Sequence, residues 1–205
     1  MSISDTKRKQ IFEAAIAEFQ EKGYAGSSMD RISERANVSK RTVYNHFESK
    51  DVLFQAINQL LVDQINMAME LHYDPALPIR DAMIRLGWAE GELFVNPCFM
   101  NLARMIISET IRDPALAADM DDRMTKMTAF ADFMKRAASE GKLAIDNPHL
   151  AAEQFLGMIK SRAFYPSIYS GRVPERAEVR RIIEESVDLM LARYGGGQPQ
   201  SSGTA

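Results

Sequence analysis

The chain of 205 residues is 46% hydrophobic and 26% charged, with a formal net charge of −3 and a single cysteine. That apolar fraction can build a core, which excludes bulk disorder, and the lone Cys98 excludes an internal disulfide scaffold. A membrane span is not expected, because the greasiest stretch, Val52 to Met69, is broken by Gln55, Asn58, Gln59, Asp63, Gln64 and Asn66. A secretory signal is not expected either, since no apolar run follows Lys7, Arg8 and Lys9, so the expected location is the cytoplasm.

Helices are predicted over roughly 5–22, 28–35, 40–46, 50–72, 77–94, 97–111, 114–140, 148–165 and 175–194, about nine in all. No segment alternates β-branched residues with period two, so the fold class is all-α. In the first helix Ile11, Phe12, Ala15, Ile16 and Phe19 form one apolar face, and Gly23 ends it. Ser27 is expected to cap the second, with Asp30 three residues on, and Ser39 and Ser49 to cap the third and fourth. Asn37 suits a left-handed turn between the second and third. Farther on, Asp74-Pro75, Asn96-Pro97, Asp113-Pro114 and Asn147-Pro148 each place a capping side chain before a proline, and all four read as helix starts.

Two short capped helices joined by a tight turn and braced by a longer one make a helix-turn-helix. Val43 and Phe47 face its core. Lys40, Arg41, Thr42, Tyr44, Asn45 and His46 are left wholly or partly outward: cations, hydroxyls and an amide, as a DNA-reading helix needs. Residues 1–55 hold nine Lys/Arg against eight Asp/Glu, so placement and not net charge carries this inference. Lys50, at a helix start, could grip a phosphate together with a backbone N–H. Ser28 and Ser39, at the starts of the two short helices, complete the expected DNA-binding set.

Residues 8–57 resemble the DNA-binding region of the tetracycline-repressor (TetR) family. The resemblance rests on Ala14-Ala15 through Phe19, Gly23-Tyr24, Ile32 through Ala36-Asn37-Val38-Ser39, Thr42-Val43-Tyr44-Asn45-His46-Phe47, and Ser49-Lys50-Asp51 through Leu53-Phe54. Asn37 and Arg41 stand where many relatives have glycine. Tyr44 resembles a tyrosine that contacts phosphate in the family. The stretch from Asp113-Pro114 to Gly141, then Asp146-Asn147-Pro148 through Phe155-Leu156-Gly157, resembles more loosely the C-terminal domains of one branch of that family, which hold a ligand site and a dimer interface.

The resemblance implies a helix-turn-helix domain over 1–55 and a helical ligand-binding and dimerisation domain over 56–194, while the Gly, Ser, Gln, Pro, Thr and Ala composition of 195–205 predicts a disordered tail. It implies a homodimeric repressor released from a double-stranded, near-palindromic operator by a small hydrophobic ligand. An activator of the same fold, or a helical carrier protein without DNA activity, are the alternatives. Met124, Met127 and Met134 lie in a methionine stripe with Phe130, and Trp88, Phe94 and Phe99 could complete an aromatic wall; these seven are the expected ligand contacts. The wide apolar sectors of the last two helices place Phe155, Ile159, Val179, Ile183, Val187 and Met190 at the expected dimer seam. No phosphate-binding glycine loop, nucleophile elbow or HExxH occurs, so no catalysis is expected. His46, His72 and His149 lack ligand spacing, so no metal or cofactor is expected.

Overall fold

A computed structural model of the chain describes residues 3–68, 73–117 and 128–195, with only the backbone described at Ile3, Ser4, Ala117 and Thr128. The described residues are helical apart from turns, caps and one isolated antiparallel bridge between Leu143 and Gly195. None of the described helices is long and apolar enough to cross a membrane. They fall into two compact units, one from residues 3–65 and 98–117, the other from 66–68, 73–97 and 128–195.

The first unit holds α1 (Ile3–Gly26), α2 (Met29–Arg35), α3 (Lys40–His46), α4 (Lys50–Ala68, up to residue 65) and α6 (Pro97–Arg112, from residue 98), followed by a 3₁₀ turn, Pro114–Ala117. It therefore extends past the expected boundary at 55 and takes in a distant helix. Ile11, Phe12, Ala15 and Phe19 are buried, as the period of α1 predicts. Gly23 ends the regular helix, as expected: at φ 70° and ψ 164° it is non-helical, and only the short stretch to Gly26 lies beyond the break. The bend sets Tyr24 against Phe19 and Phe54, with ring centroids 5.6 and 5.1 Å away. A side chain at Gly23 would meet Arg112 Nη1 at 3.4 Å, so the end of α6 closes over the kink.

The second unit holds α5 (Ile79–Phe94), α7 (Thr128–Ser139), α8 (Pro148–Ile159), a π-helical turn (Lys160–Phe164), α9 (Tyr165–Ser170) and α10 (Arg176–Tyr194). Asn147 caps α8 by accepting from Leu150 N at 3.1 Å. Asp74-Pro75 departs from expectation. Asp74 accepts from Ala76 N at 2.9 Å in a tight turn, and α5 starts only after Pro78. Of the predicted helix 114–140, the structure shows the 3₁₀ turn and α7; Met124 and Met127 lie outside the described residues.

α10 lies against both α5 and α8, and α7 against α8. Contact with α5 is close because Gly87 and Gly91, one turn apart, present bare backbone to Ile183 and Val179. This corrects the expected dimer seam. Phe155, Ile159, Val179, Ile183, Val187 and Met190 are all buried inside the chain. Their sector is wide because α10 has two neighbours within the same chain. The large apolar residues that these segments leave exposed include Leu150, Tyr165, Tyr169 and Leu189.

Glu90 is a buried carboxylate in this unit. One oxygen pairs with Lys160 Nζ at 3.1 Å, at the start of the π turn, while Oε2 has no hydrogen-bond partner. Burial pushes the Glu90 carboxyl above the usual carboxylate range, against the pull of Lys160. The folded chain thus holds this proton more tightly than the unfolded chain. Its contribution to stability is fully present below the unfolded value and is lost as pH rises toward the folded one. Thermal melts at pH 4.5 and pH 8 should show the gap between wild type and Glu90→Gln moving in favour of the variant as pH rises. A gap independent of pH would contradict this.

Candidate nucleic-acid interface

Both helices of the hairpin are too short to stand alone, so capping and a few buried side chains hold them. Ser28, one residue later than expected, caps α2 and accepts from Arg31 N at 3.3 Å. Ser27 instead donates its hydroxyl to Tyr24 O at 2.6 Å. This shift places Asp30 in the first turn of α2, where its carboxylate takes Lys40 Nζ at 2.5 Å. Asn37 adopts φ 51°, the left-handed turn its side chain suits, and Val38 N reaches back to Ser33 O at 3.1 Å. Ser39 then caps α3, accepting from Thr42 N at 3.1 Å, with the Ser39 and Thr42 hydroxyls 2.8 Å apart.

Val43 and Phe47 seat α3, both buried, and Phe47 packs on Phe12 with centroids 5.2 Å apart. Around them Lys40, Arg41, Tyr44 and Asn45 are exposed, while Thr42 and His46 are half-buried. Tyr44 is 48% exposed. Arg41 makes no ion pair or hydrogen bond with the described residues. The outward face of α3 therefore combines a guanidinium, a phenol and an amide on one short helix.

Two of the expected contacts have structural tasks. Lys40 ties the start of α3 to α2 through Asp30, and that contact holds it protonated above the usual lysine range. Lys50 does not extend outward from its helix start. Its ammonium donates to Tyr24 O at 2.6 Å and Ser27 O at 3.3 Å, and lies 4.3 Å from the Tyr24 ring centroid. It staples α4 to the segment joining α1 and α2. Tyr24 in turn donates its hydroxyl to Asp51, and burial with that carboxylate pushes the phenol well above its ordinary value.

Sequence spacing missed the brace behind the hairpin. Glu18 of α1 is 1% exposed and accepts from Arg31 Nε at 2.6 Å and Arg35 Nη2 at 3.4 Å. Arg35 also reaches Glu21 at 2.5 Å, and Glu21 is held down at about 2 by hydrogen bonds from Lys22 and Arg35. These partners come from two helices, so no periodicity within one helix announces them. Arg8 was missed for the same reason: its guanidinium lies 5.0 Å from the Phe12 ring and 4.9 Å from Phe47, at the C-terminal end of α3.

The expected ligand contacts are dispersed. Trp88, half-buried on α5, carries the Arg176 guanidinium 4.4 Å above its ring. Arg176 is held in turn by both oxygens of Glu92. Phe94 packs on Phe164 at 5.2 Å and Phe130 on Phe155 at 6.2 Å, and Met134 is fully buried. Phe99 belongs to the first unit, whereas the other four described contacts belong to the second.

Comparison with known proteins matches residues 11–57 to the family model for bacterial regulatory proteins of the tetR family. Residues 81–196 match the model for the C-terminal domain of AefR-like transcriptional repressors. A TetR family regulator from Pseudomonas syringae pv. tomato superposes with a TM-score of 0.81 at 34% identity, covering 94% of this chain and 98% of that one. The transcriptional repressor SCO4008 of Streptomyces coelicolor is 34% identical over 64% of this chain and 67% of its own length. With the Bacillus subtilis regulator YhgD the match is shorter: 32% identity over 42% of this chain, spanning 46% of that protein. A cradled three-residue turn, a short outward-facing helix behind it, and two family models that together cover most of the chain lead to one conclusion: this protein belongs to the TetR family of transcriptional regulators.

Proposed function

We propose that the protein is a cytoplasmic DNA-binding repressor that acts as a twofold dimer and leaves a near-palindromic operator when a small hydrophobic ligand binds the second unit. The exposed face of α3 carries this reading: Arg41, Tyr44 and Asn45 point outward from a helix seated by Val43 and Phe47. A carrier protein has no use for that arrangement. Repression is favoured over activation by the repressor C-terminal model and by SCO4008. Ligand binding would act on the head through α4, which runs unbroken from Lys50 to Ala68. Trp88, half-buried on α5, remains the proposed ligand contact in this unit, whereas Phe94, Phe130 and Met134 are packed in the core.

The dimer is proposed to form through the outer face of α8–α10, where Tyr169 is 82% and Leu189 60% exposed. Such a dimer sets two copies of α3 about 34 Å apart, or a small multiple of that, on one face of the duplex. Duplexes selected from genomic fragments should bind about a thousandfold or more tightly than random sequence. Leu189→Glu should give a monomer by sedimentation that keeps its helical spectrum and loses specific binding. A monomeric variant with wild-type affinity for the selected duplex would refute the dimer. Equal affinity of the wild type for selected and random duplexes would refute the repressor reading.

A further inference from the structure

The first unit contains a cleft that the reading above does not use. It lies between α1, α4 and α6 and has a volume of about 620 Å³, within the range of about 300–1,000 Å³ usual for small-molecule sites. Its floor is hydrocarbon: Phe12, Ile16 and Ala17 from α1, Leu60 from α4 and Leu102 from α6. Leu60 of α4 is half-buried and lines this cleft.

We propose that the first unit has its own effector site, in which this cleft takes an uncharged, mostly hydrocarbon molecule bearing one or two hydrogen-bonding oxygens and passes its occupancy to α3 through Phe12. The transmission to DNA rests on the repressor reading; the site itself does not.

The rim specifies the ligand class by its charge balance. Arg8 and Lys9 are matched by Asp5 and Glu13, and Lys9 lies 3.8 Å from Glu13. A charged ligand would give up hydration for a neutral rim, which costs more than it returns. The other polar groups at the rim are amides, Gln20, Gln64 and Asn101; Gln20 spends one N–H on Asn101 O at 3.4 Å, and the second N–H of Gln20 with the amides of Gln64 and Asn101 suits a hydroxyl or carbonyl oxygen. A hydrocarbon body with one or two oxygens fits both the floor and the amides.

The route to α3 is a single contact. Phe12 forms part of the floor and touches Phe47, the residue that caps the C-terminus of α3, with centroids 5.2 Å apart. Arg8 bridges the same two rings from the rim. A molecule pressing on Phe12 therefore presses on the end of the reading helix with no intermediate element.

Cys98, exposed on the α6 wall and the sole cysteine of the chain, supplies a reporter. The probe is 4-hydroxybiphenyl, an uncharged hydrocarbon with one hydroxyl. At saturation it should slow alkylation of Cys98 by N-ethylmaleimide at least tenfold in the full chain. Ala17→Trp, which fills the cleft from α1, should abolish that protection. Gln64→Trp, at an exposed position on α4, should do the same and guards against a folding defect in the first variant. Unchanged alkylation in wild type, or protection that survives both substitutions, would overturn the site. In a parallel titration the probe should change affinity for the selected duplex at least fivefold in wild type and not in Ala17→Trp. Protection with unchanged duplex affinity would overturn the transmission through Phe12. Failure to bind any duplex would defeat the repressor reading, while the alkylation rates would still decide the cleft.

Discussion

Arg41→Ala is expected to weaken binding to the selected duplex by about 1–3 kcal/mol, roughly five- to 150-fold, and to relax base preference where the guanidinium reaches. Arg41 is the side chain for which this effect should be cleanest. It is exposed on α3 and holds no other described residue in place, so its loss leaves the hairpin intact. Lys50→Ala should differ in kind. Its ammonium is spent on Tyr24 O and Ser27 O, so removal should lower the stability of the head and weaken selected and random duplexes alike. Titration of both variants against both duplexes, with melts in parallel, separates the two roles. An Arg41→Ala protein that binds selected and random duplexes with equally reduced affinity would show that Arg41 positions the protein and does not read bases.

Gly87→Leu should cost about 3 kcal/mol or more, near the upper end for an overpacked core. Even a bare Cβ at this position would lie 2.7 Å from Ile183 Cγ2 and 3.3 Å from Phe155 Cζ, closer than packed carbons sit. Helix propensity works the other way, since replacing an interior glycine gains about 1 kcal/mol, but steric overlap between α5 and α10 wins. For a chain of this size the melting temperature should fall by roughly 2–4 °C per kcal/mol. Adding Ile183→Ala opens space where the new side chain must go and should restore part of the loss. Gly157→Ala is the contrasting case: nothing lies within 4 Å of its added methyl, so it should be neutral or slightly stabilising. A harmless Gly87→Leu would mean that the two helices are not held at this distance.

Features set by neighbours along the chain are legible in the sequence alone. Asn37 takes its left-handed turn, Ser39 and Ser49 cap α3 and α4, and Asn147 caps α8, because each acts over three or four residues. Gly23 breaks the first helix where the sequence places its end. The same logic misplaces a signal that has more than one local solution: Asp74-Pro75 makes a turn in place of a helix start. Side chains that act across helices are the hardest to read. Lys50 looks like a phosphate ligand until the backbone carbonyls of Tyr24 and Ser27 are brought beside it. The apolar width of α10 looks like a dimer seam until α5 and α8 are seen to share it. Spacing along one helix gives the direction of a face, but the number of neighbours that face meets is a property of the whole fold.

The first unit is not one stretch of chain. Residues 66–68 and 73–97 belong to the second unit, before α6 returns to the first. During synthesis from the N-terminus, α2 and α3 emerge long before the wall that completes their own unit. Until α6 is made, the apolar floor formed by Phe12, Ile16, Ala17 and Leu60 lacks Leu102 and stays incomplete. Vectorial folding, one domain finished before the next begins, is thus denied to this chain. The nascent head must wait, partly uncovered, for a helix encoded some way downstream, and neither unit can be finished by the ribosome ahead of the other's start.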